Sequence, residues 1–454
     1  MKIANKKWLY IAIETKSREY IAKLFLSILA LEKGYNVVLG RRNIRILTKI
    51  SSMPPGIYLD KSIWDIQYNT FKKLKKSGYY VCSTDEEGFV YRTPDNYLER
   101  VSLNCLKLLD LFFVWGQEQA NIISNKYPQI ADKIKIVGNP RIDILKRKYF
   151  DIYKKESNYI KKKYGKFILV NSNFPHATTE TLNGTIKLLK SFTYNVDENY
   201  WKNSFEYQSK LIKLFVDGIK ELAKSTSLSI VIRPHPSEDP NYWIKEFKDY
   251  DNVKIVNKFS VNPWIIESEV VIHNGCTTGI EAFLMKKPVI AYRPIYSDQY
   301  DQELPNSISK ELNNKVELIK WVKIFLKNKN KFDEIYDEKI KLMKKHVSLI
   351  NGLSSLKILN HLNSLNANSY SFEISFLKNF ILDIYVSLRK FVVNIDRSFL
   401  HFNKNIKQKF PGIDKKELKN DARNIKEILN FQKEVNILEV FPNQFILFTE
   451  LAEN

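Results

Sequence analysis

The stretch Val270-Val271-Ile272-His273-Asn274-Gly275-Cys276-Thr277-Thr278-Gly279-Ile280-Glu281-Ala282-Phe283 sets a turn of small and hydroxyl residues directly after an apolar run. This pattern predicts a buried parallel strand, a turn at Asn274, a helix opening at the two threonines, and a further strand at Val289-Ile290-Ala291-Tyr292. Such a unit suits an anionic ligand. Gly275 and Gly279 let backbone approach it, and Thr277 and Thr278 offer hydroxyls and free amides at a helix N-terminus, where the macrodipole favours phosphate. Glu281, one turn on, is placed to accept hydrogen bonds from a ribose diol. An ordinary N-capped helix would show much of the same pattern.

Upstream, Ser229-Ile230-Val231-Ile232-Arg233-Pro234-His235-Pro236 delivers Arg233 and His235 to the carboxyl end of another apolar strand, where open α/β sheets bind ligands. A histidine in a rigid turn donates to a phosphate oxygen, and arginine adds charge and a fork of donors. The two elements together read as one nucleotide phosphate site.

The amino-terminal half offers carboxylates. Glu14-Thr15-Lys16-Ser17-Arg18-Glu19 follows the first strand, with Lys16 and Arg18 as candidate substrate contacts. Asp85-Glu86-Glu87-Gly88 follows a later one; adjacent carboxylates repel, and a partly desolvated one acquires a raised pKa suited to acid/base work. Glu14, Asp85, Glu86 and Glu87 are therefore the catalytic candidates. Asn171 and Asn173, in Asn171-Ser172-Asn173-Phe174-Pro175-His176, end a strand on the side expected to meet substrate. Arg141, in Gly138-Asn139-Pro140-Arg141-Ile142-Asp143, either meets the ligand or pairs with Asp143.

These residues need strands to hold them. Strands are expected at 9–13, 37–39, 79–82, 111–114 and 134–137, with helices between them at 18–32 and 117–125; the alternation implies a parallel sheet with right-handed crossovers. After a lysine-rich stretch at 146–163 the alternation restarts with strands at 167–170, 229–232 and 253–256 and helices near 200–224 and 263–267. Beyond Pro305 helices are expected at 316–326, 331–345 and 355–365. The expected domains are 1–145, 146–310, helices 311–365 completing the fold, and a helical appendage 366–454. Within that appendage the apolar segment 372–391 carries recurrent charge, so it packs on a partner or lies on a membrane rather than spanning one.

With 454 residues, 44% of them apolar, the chain is long enough for two domains. Lys and Arg outnumber Asp and Glu by 72 to 50, a formal charge of +22, which draws nucleic acid, anionic membrane or acidic substrates. No zinc-type spacing or RNA-binding signature is present, so nucleic acid is not expected as a partner. Cys82, Cys105 and Cys276 are too few and scattered for a disulfide framework or a metal site. With no signal peptide and no membrane-spanning run, a cytoplasmic protein is expected.

The elements at 14–19, 85–88, 138–143, 233–236 and 273–282 resemble those of bacterial surface-carbohydrate biosynthesis proteins. These are GT-B-type transferases, distantly similar to capsule Kdo transferases and bacterial sialyltransferases. The resemblance spans roughly residues 8–300. It implies an α/β fold of two Rossmann-like domains with parallel sheets facing across a cleft, plus the helical carboxyl-terminal appendage. In sialyltransferase-like enzymes a His-Pro motif and a later pair of hydroxyl residues hold the phosphate of a CMP-sugar. His235-Pro236 and Thr277-Thr278 match them by type and order, which implies a CMP-activated Kdo or nonulosonic acid donor and no metal or other cofactor.

Glu86-Glu87-Gly88 resembles the Glu-Asp-Gly element that supplies the acid/base in the Kdo transferases. The aspartate nucleophile of the retaining Kdo enzymes has no counterpart: the chain has no carboxylate between Asn171 and Glu180. A single displacement, with one of Glu14 and Asp85 to Glu87 as base on the acceptor hydroxyl, needs none. CMP would leave with its charge stabilised by His235, Arg233 and the helix start at Thr277. The acceptor would be a glycan or lipid-linked glycan, with peripheral contact at the anionic inner face of the plasma membrane. Transfer from CDP-glycerol or CDP-ribitol, a UDP-sugar transferase or epimerase, and a scaffold of a polysaccharide assembly complex are the competing readings.

Overall fold

A computed structural model describes residues 2–42, 53–174, 197–328, 330–349, 352–373 and 410–451, with isolated positions between them. Its strands are β1 (Lys2–Ile13), β2 (Tyr35–Arg41), β3 (Ile57–Asp60), β4 (Tyr80–Thr84), β5 (Leu111–Val114), β6 (Ile134–Ile136) and β7 (Phe167–Asn171). They continue as β8 (Ser229–Arg233), β9 (Val253–Ile255), β10 (Val270–His273), β11 (Val289–Tyr292), β12 (Lys310–Leu312), β13 (Tyr370–Glu373), β14 (Asn436–Phe441) and β15 (Gln444–Phe448). Two compact units result. The first comprises Met1–Phe89, Thr93–Ile144 and Lys344–Asn454; the second comprises Val90–Arg92 and Leu145–Met343.

The second unit is a six-stranded parallel sheet ordered β12-β11-β10-β7-β8-β9. Read from its first strand, this is the doubly wound order that reverses direction once, between β7 and β10. Phe167 to Val170 and Val270 to Ile272 are fully buried, because helices cover both faces of a parallel sheet and leave no solvent face for alternation. The register sets Asn171 beside His273. The helices expected at 316–326 and 331–345 form as Lys315–Lys327 and Asn330–His346. Strand β12 was not expected: it is three residues long and directly follows a turn of helix.

The first unit is a nine-stranded sheet ordered β14-β15-β2-β1-β3-β4-β5-β6, with β13 beside β1. Strands β1 to β6 run parallel, and the order reverses between β1 and β3. Helix Lys16–Glu32 is buried on almost every side, because helices Pro140–Asp143, Ser354–Asn363 and Lys415–Ile428 also pack on it.

The carboxyl-terminal segment carries the expected helix and, in addition, strands. Gln444-Phe445-Ile446-Leu447-Phe448 is buried throughout and pairs antiparallel with β2. Asn443, at φ 64°, turns the chain between β14 and β15, its side chain accepting from the Ile413 amide at 2.7 Å. The expected apolar segment 372–391 lies, beyond its first two residues, almost wholly outside the described residues.

Candidate functional site

The motif that ends β10 folds around a histidine. His273 is fully buried; its Nδ1 accepts the amides of Gly275 at 3.0 Å and Cys276 at 3.3 Å, and its Nε2 lies 2.9 Å from Ser309 Oγ. The accepting Nδ1 puts the ring proton on Nε2, so the ring donates to Ser309, which donates on to Pro305 O at 2.8 Å. Burial, then nearby Arg293, lowers the His273 pKa to about 3. It is a neutral brace for the turn, not a switch.

Gly275 holds φ at 93°, the left-handed region that glycine favours. Gly279 is different. It was expected to open space for a ligand, but a Cβ there would stand 2.3 Å from His273 Nε2, so its missing side chain makes room for the histidine.

The turn meets the end of β7. Asn274 Nδ2 donates to Asn173 O at 3.3 Å, and Asn173 Nδ2 donates to Gly275 O at 3.4 Å. Beside this lattice, Asn171 Nδ2, Asn274 Oδ1 and Thr278 Oγ1 are buried without a hydrogen-bond partner. Buried polar groups are normally paired, so a cluster of such atoms at one strand crossover marks a place where a polar ligand fits. Helix Thr277–Leu284 starts there with Thr277 exposed, its Gly279 amide donating to Cys276 O at 2.9 Å. Glu281 is half-buried one turn along.

Arg233 departs from expectation. Its Nη1 donates to Lys258 O at 2.7 Å and its Nη2 to Phe259 O at 3.0 Å, while the guanidinium lies over the Trp264 ring. Burial lowers its pKa to about 10. It ties β8 to the loop after β9 and is not a phosphate ligand. His235 stands in the turn after β8, where its Nδ1 accepts from the Ser237 amide at 3.2 Å, which puts the ring proton on Nε2.

The residue that organises this end of the sheet was missed in the sequence. Glu238 is buried, and its Oε1 accepts from the amides of Phe174 at 2.7 Å and His235 at 3.3 Å. Its Oε2 accepts from Ser172 Oγ at 2.7 Å and Trp243 Nε1 at 2.8 Å. Burial pushes this carboxyl above its ordinary value, against the pull of those four donors. One side chain therefore fixes the loop after β7 to the turn that carries His235. Pro175 and His176 lie outside the described residues.

The first unit has its own crossover, between β1 and β3, and charged side chains fill it. Glu14, about one-third exposed, pairs with Lys61 at 2.8 Å and Arg42 at 3.3 Å; Arg42 also pairs with fully buried Asp60 at 2.8 Å. Burial raises the Glu14 pKa, but Lys61 and Arg42 outweigh it and hold the group below the ordinary value. Lys23 bridges Glu19 at 2.7 Å, Ala12 O at 2.6 Å and Glu86 at 3.8 Å. Arg42 and Lys61 were not anticipated, because β3 was not.

The remaining candidates separate. Asp85 is fully buried, pairs with Arg100 at 2.9 Å, and is pushed up by burial; its backbone oxygen accepts from Trp115 Nε1 at 2.6 Å. Glu86, also buried, reaches Asn139 Nδ2 at 3.4 Å. Glu87 pairs with Arg18 at 2.6 Å near the surface. Lys16, expected at substrate, instead pairs with Glu417 of helix Lys415–Ile428 at 2.6 Å. Arg141 lies over the Trp115 ring, and Asp143 caps helix Ser354–Asn363 through the amides of Ser354 and Ser355, both at 2.8 Å.

This charge cluster has a pH signature. Burial raises the Glu19 pKa, but Lys23, Lys61 and the Glu14 amide bring it down to about 2. That lies below the unfolded carboxylate value of ~4.3. The Glu19 contribution to stability is thus complete above the unfolded value and lost as pH falls toward the folded one. In urea unfolding, wild type is expected to exceed Glu19→Gln in stability at neutral pH, with the gap closing between about pH 5 and pH 2. A gap independent of pH contradicts this.

Cys82, Cys105 and Cys276 are buried, unpaired thiols. Among the described residues no helix is long and apolar enough to cross a membrane, and no group of three or more His, Cys, Asp or Glu is placed to hold a metal ion.

No family model and no curated protein matches the chain. Its fold is matched by UDP-GlcNAc 2-epimerase from Methanocaldococcus jannaschii, at 17% identity and TM-score 0.51, covering 78% of this chain and 99% of that one. The Neisseria meningitidis UDP-GlcNAc 2-epimerase, solved with UDP-GlcNAc, matches at 15% identity and TM-score 0.51, covering 79% and 100%. The wall teichoic acid polymerase TagF matches at 15% identity and TM-score 0.50, covering 79% and 88%. The protein has a GT-B-like fold of two parallel-sheet α/β domains.

Proposed function

We propose that the protein transfers an acidic sugar from a nucleotide-activated donor to a cell-surface glycan, with the donor phosphate held at the β7/β10 crossover. The observation that carries this is the set of buried, unpartnered polar atoms of Asn171, Asn274 and Thr278 beside a helix start without a side-chain cap. In this reading the amides of Thr277 and Thr278 and the Nε2–H of His235 receive the phosphate, Asn171 and Asn274 orient the donor, and Glu281 takes the ribose diol. Asn173 holds the turn. That the fold is shared with epimerases solved with UDP-GlcNAc supports a nucleotide-linked donor.

The finer reading is a CMP-linked Kdo or nonulosonic acid and a single displacement. Residues 172–179, which follow β7, include no carboxylate, and Glu238, which stands behind Phe174, has both oxygens engaged by four donors and is no nucleophile. Glu14 is taken as the general base because it is partly exposed, whereas Asp85 and Glu86 are buried; Lys61 and Arg42 keep it ionised but below the pKa range that suits a base best. Arg18 and Glu87 are left as candidate acceptor contacts. The likeness to TagF favours a second reading, transfer of a polyol phosphate from a CDP-linked donor. The reaction is placed at the cytoplasmic face of the membrane, and no metal is assigned to it.

Incubation with CMP-Kdo, CMP-nonulosonic acids, CDP-glycerol and UDP-GlcNAc, followed by NMR of the products, tests the reading. Release of CMP with inversion at the anomeric carbon is expected, falling about 10²- to 10⁴-fold in Glu14→Gln. Retention contradicts the single displacement, and consumption of CDP-glycerol or UDP-GlcNAc alone contradicts the donor.

A further inference from the structure

Helix Lys415–Ile428 has two stripes. Leu418, Ala422 and Ile425 are buried against the first unit, whereas Lys419, Arg423 and Lys426, at the same helical spacing, line a hollow of about 320 Å³ beside edge strand β14. That is near the lower limit of ligand-pocket size, ~300 Å³. Val435, Ile437 and Leu438, all partly exposed, supply its apolar side, and Glu434 is the one acid in its lining. Among the described residues none of the three cations has an ion-pair partner. Two acids of the helix are engaged elsewhere: Glu417 by Lys16, and Asp421 by the Tyr20 hydroxyl at 2.9 Å.

We propose that this hollow binds the phosphate headgroup of an anionic membrane lipid, holding the protein peripherally on the bilayer. Three cations on one stripe offer an anionic phosphate a positive field and several donors, and the adjoining apolar residues suit the start of an acyl chain, which a free phosphate would not need. The formal charge of +22 draws the chain to an anionic surface, and the stripe gives that attraction a place. The site is independent of the nucleotide-donor reading.

Sedimentation of the full chain with phosphatidylcholine vesicles, with and without phosphatidylglycerol, tests it. Binding is expected only with phosphatidylglycerol, and the combined variant K419Q/R423Q/K426Q is expected to bind on the order of a hundredfold more weakly. K320Q/K323Q/K327Q removes the same charge from exposed positions of helix Lys315–Lys327 and is expected to bind as wild type. Leu438→Asn, with its cations intact, is expected to weaken binding several-fold; circular dichroism checks that each variant is folded. Equal losses in the two triple variants overturn the site in favour of bulk charge. Full displacement by soluble glycerol phosphate with no effect of Leu438→Asn shows a free-anion site instead, and absence of wild-type binding overturns the proposal outright.

Discussion

Glu238→Ala is expected to destabilise the second unit by about 4 kcal/mol or more and to abolish nucleotide binding. The substitution removes one acceptor group and strands four donors: the amides of Phe174 and His235, Ser172 Oγ and Trp243 Nε1. Each buried donor left unsatisfied costs about 1–3 kcal/mol, although Ser172 can rotate its hydroxyl to another acceptor. Glu238→Gln keeps the shape but sets an amide NH₂ against either the two backbone donors or Trp243 Nε1–H, so about half the loss is expected. For a unit of this size the alanine variant should melt roughly 10 °C or more lower by calorimetry. A fall of only a degree or two would show that Glu238 does not hold the two loops together.

Gly279→Ala sets two effects against each other. Glycine inside a helix costs about 1 kcal/mol relative to alanine, so propensity alone favours the substitution. The added Cβ, however, meets His273 at 2.3 Å, and that ring cannot yield, being held by Ser309 on one nitrogen and two amides on the other. Overpacking of this kind costs about 1–3 kcal/mol or more, so the steric term wins. A loss of about 3 kcal/mol is expected, with a disordered turn at 274–276 and weakened nucleotide binding. Gly275→Ala has no atom closer than 3.5 Å to crowd it and suffers only the strain of positive φ, about 1–2 kcal/mol. Calorimetry should therefore rank Gly279→Ala as the more damaging. A neutral or stabilising Gly279→Ala contradicts the packing argument.

The central strands were legible because burial on both faces leaves unbroken apolar runs, as in Phe167 to Val170 and Val270 to Ile272. The short strands were not. Ile57–Asp60 has four residues between Pro55 and Trp64, too few for a period to register, yet it closes the crossover of the first sheet. Without it nothing in the sequence brings Lys61 and Arg42 to Glu14. Strand β15 was hidden for a related reason: its partner β2 lies some four hundred residues away in the chain, and β14 in turn pairs on β15.

At the site, the turn at 273–282 and His235 were readable as types at a spacing, and the structure brings the turn to Asn171 and Asn173 as parallel pairing requires. Side-chain direction was not readable. Arg233 ends a strand at the ligand side but finds two carbonyls and an indole nearby, and Lys16 finds Glu417. Glu238 escaped notice because its partners are mostly backbone amides and a tryptophan, which no sequence motif announces.

Isothermal titration of CMP into the wild-type chain and into His235→Ala and Asn274→Ala tests most directly whether the β7/β10 crossover holds a nucleotide phosphate. Saturable one-site binding is expected for wild type, weakened by about tenfold or more in each variant, as loss of one charge-assisted or buried hydrogen bond requires. Failure of the wild-type chain to bind CMP, UDP or CDP-glycerol, or binding indifferent to both substitutions, would contradict it.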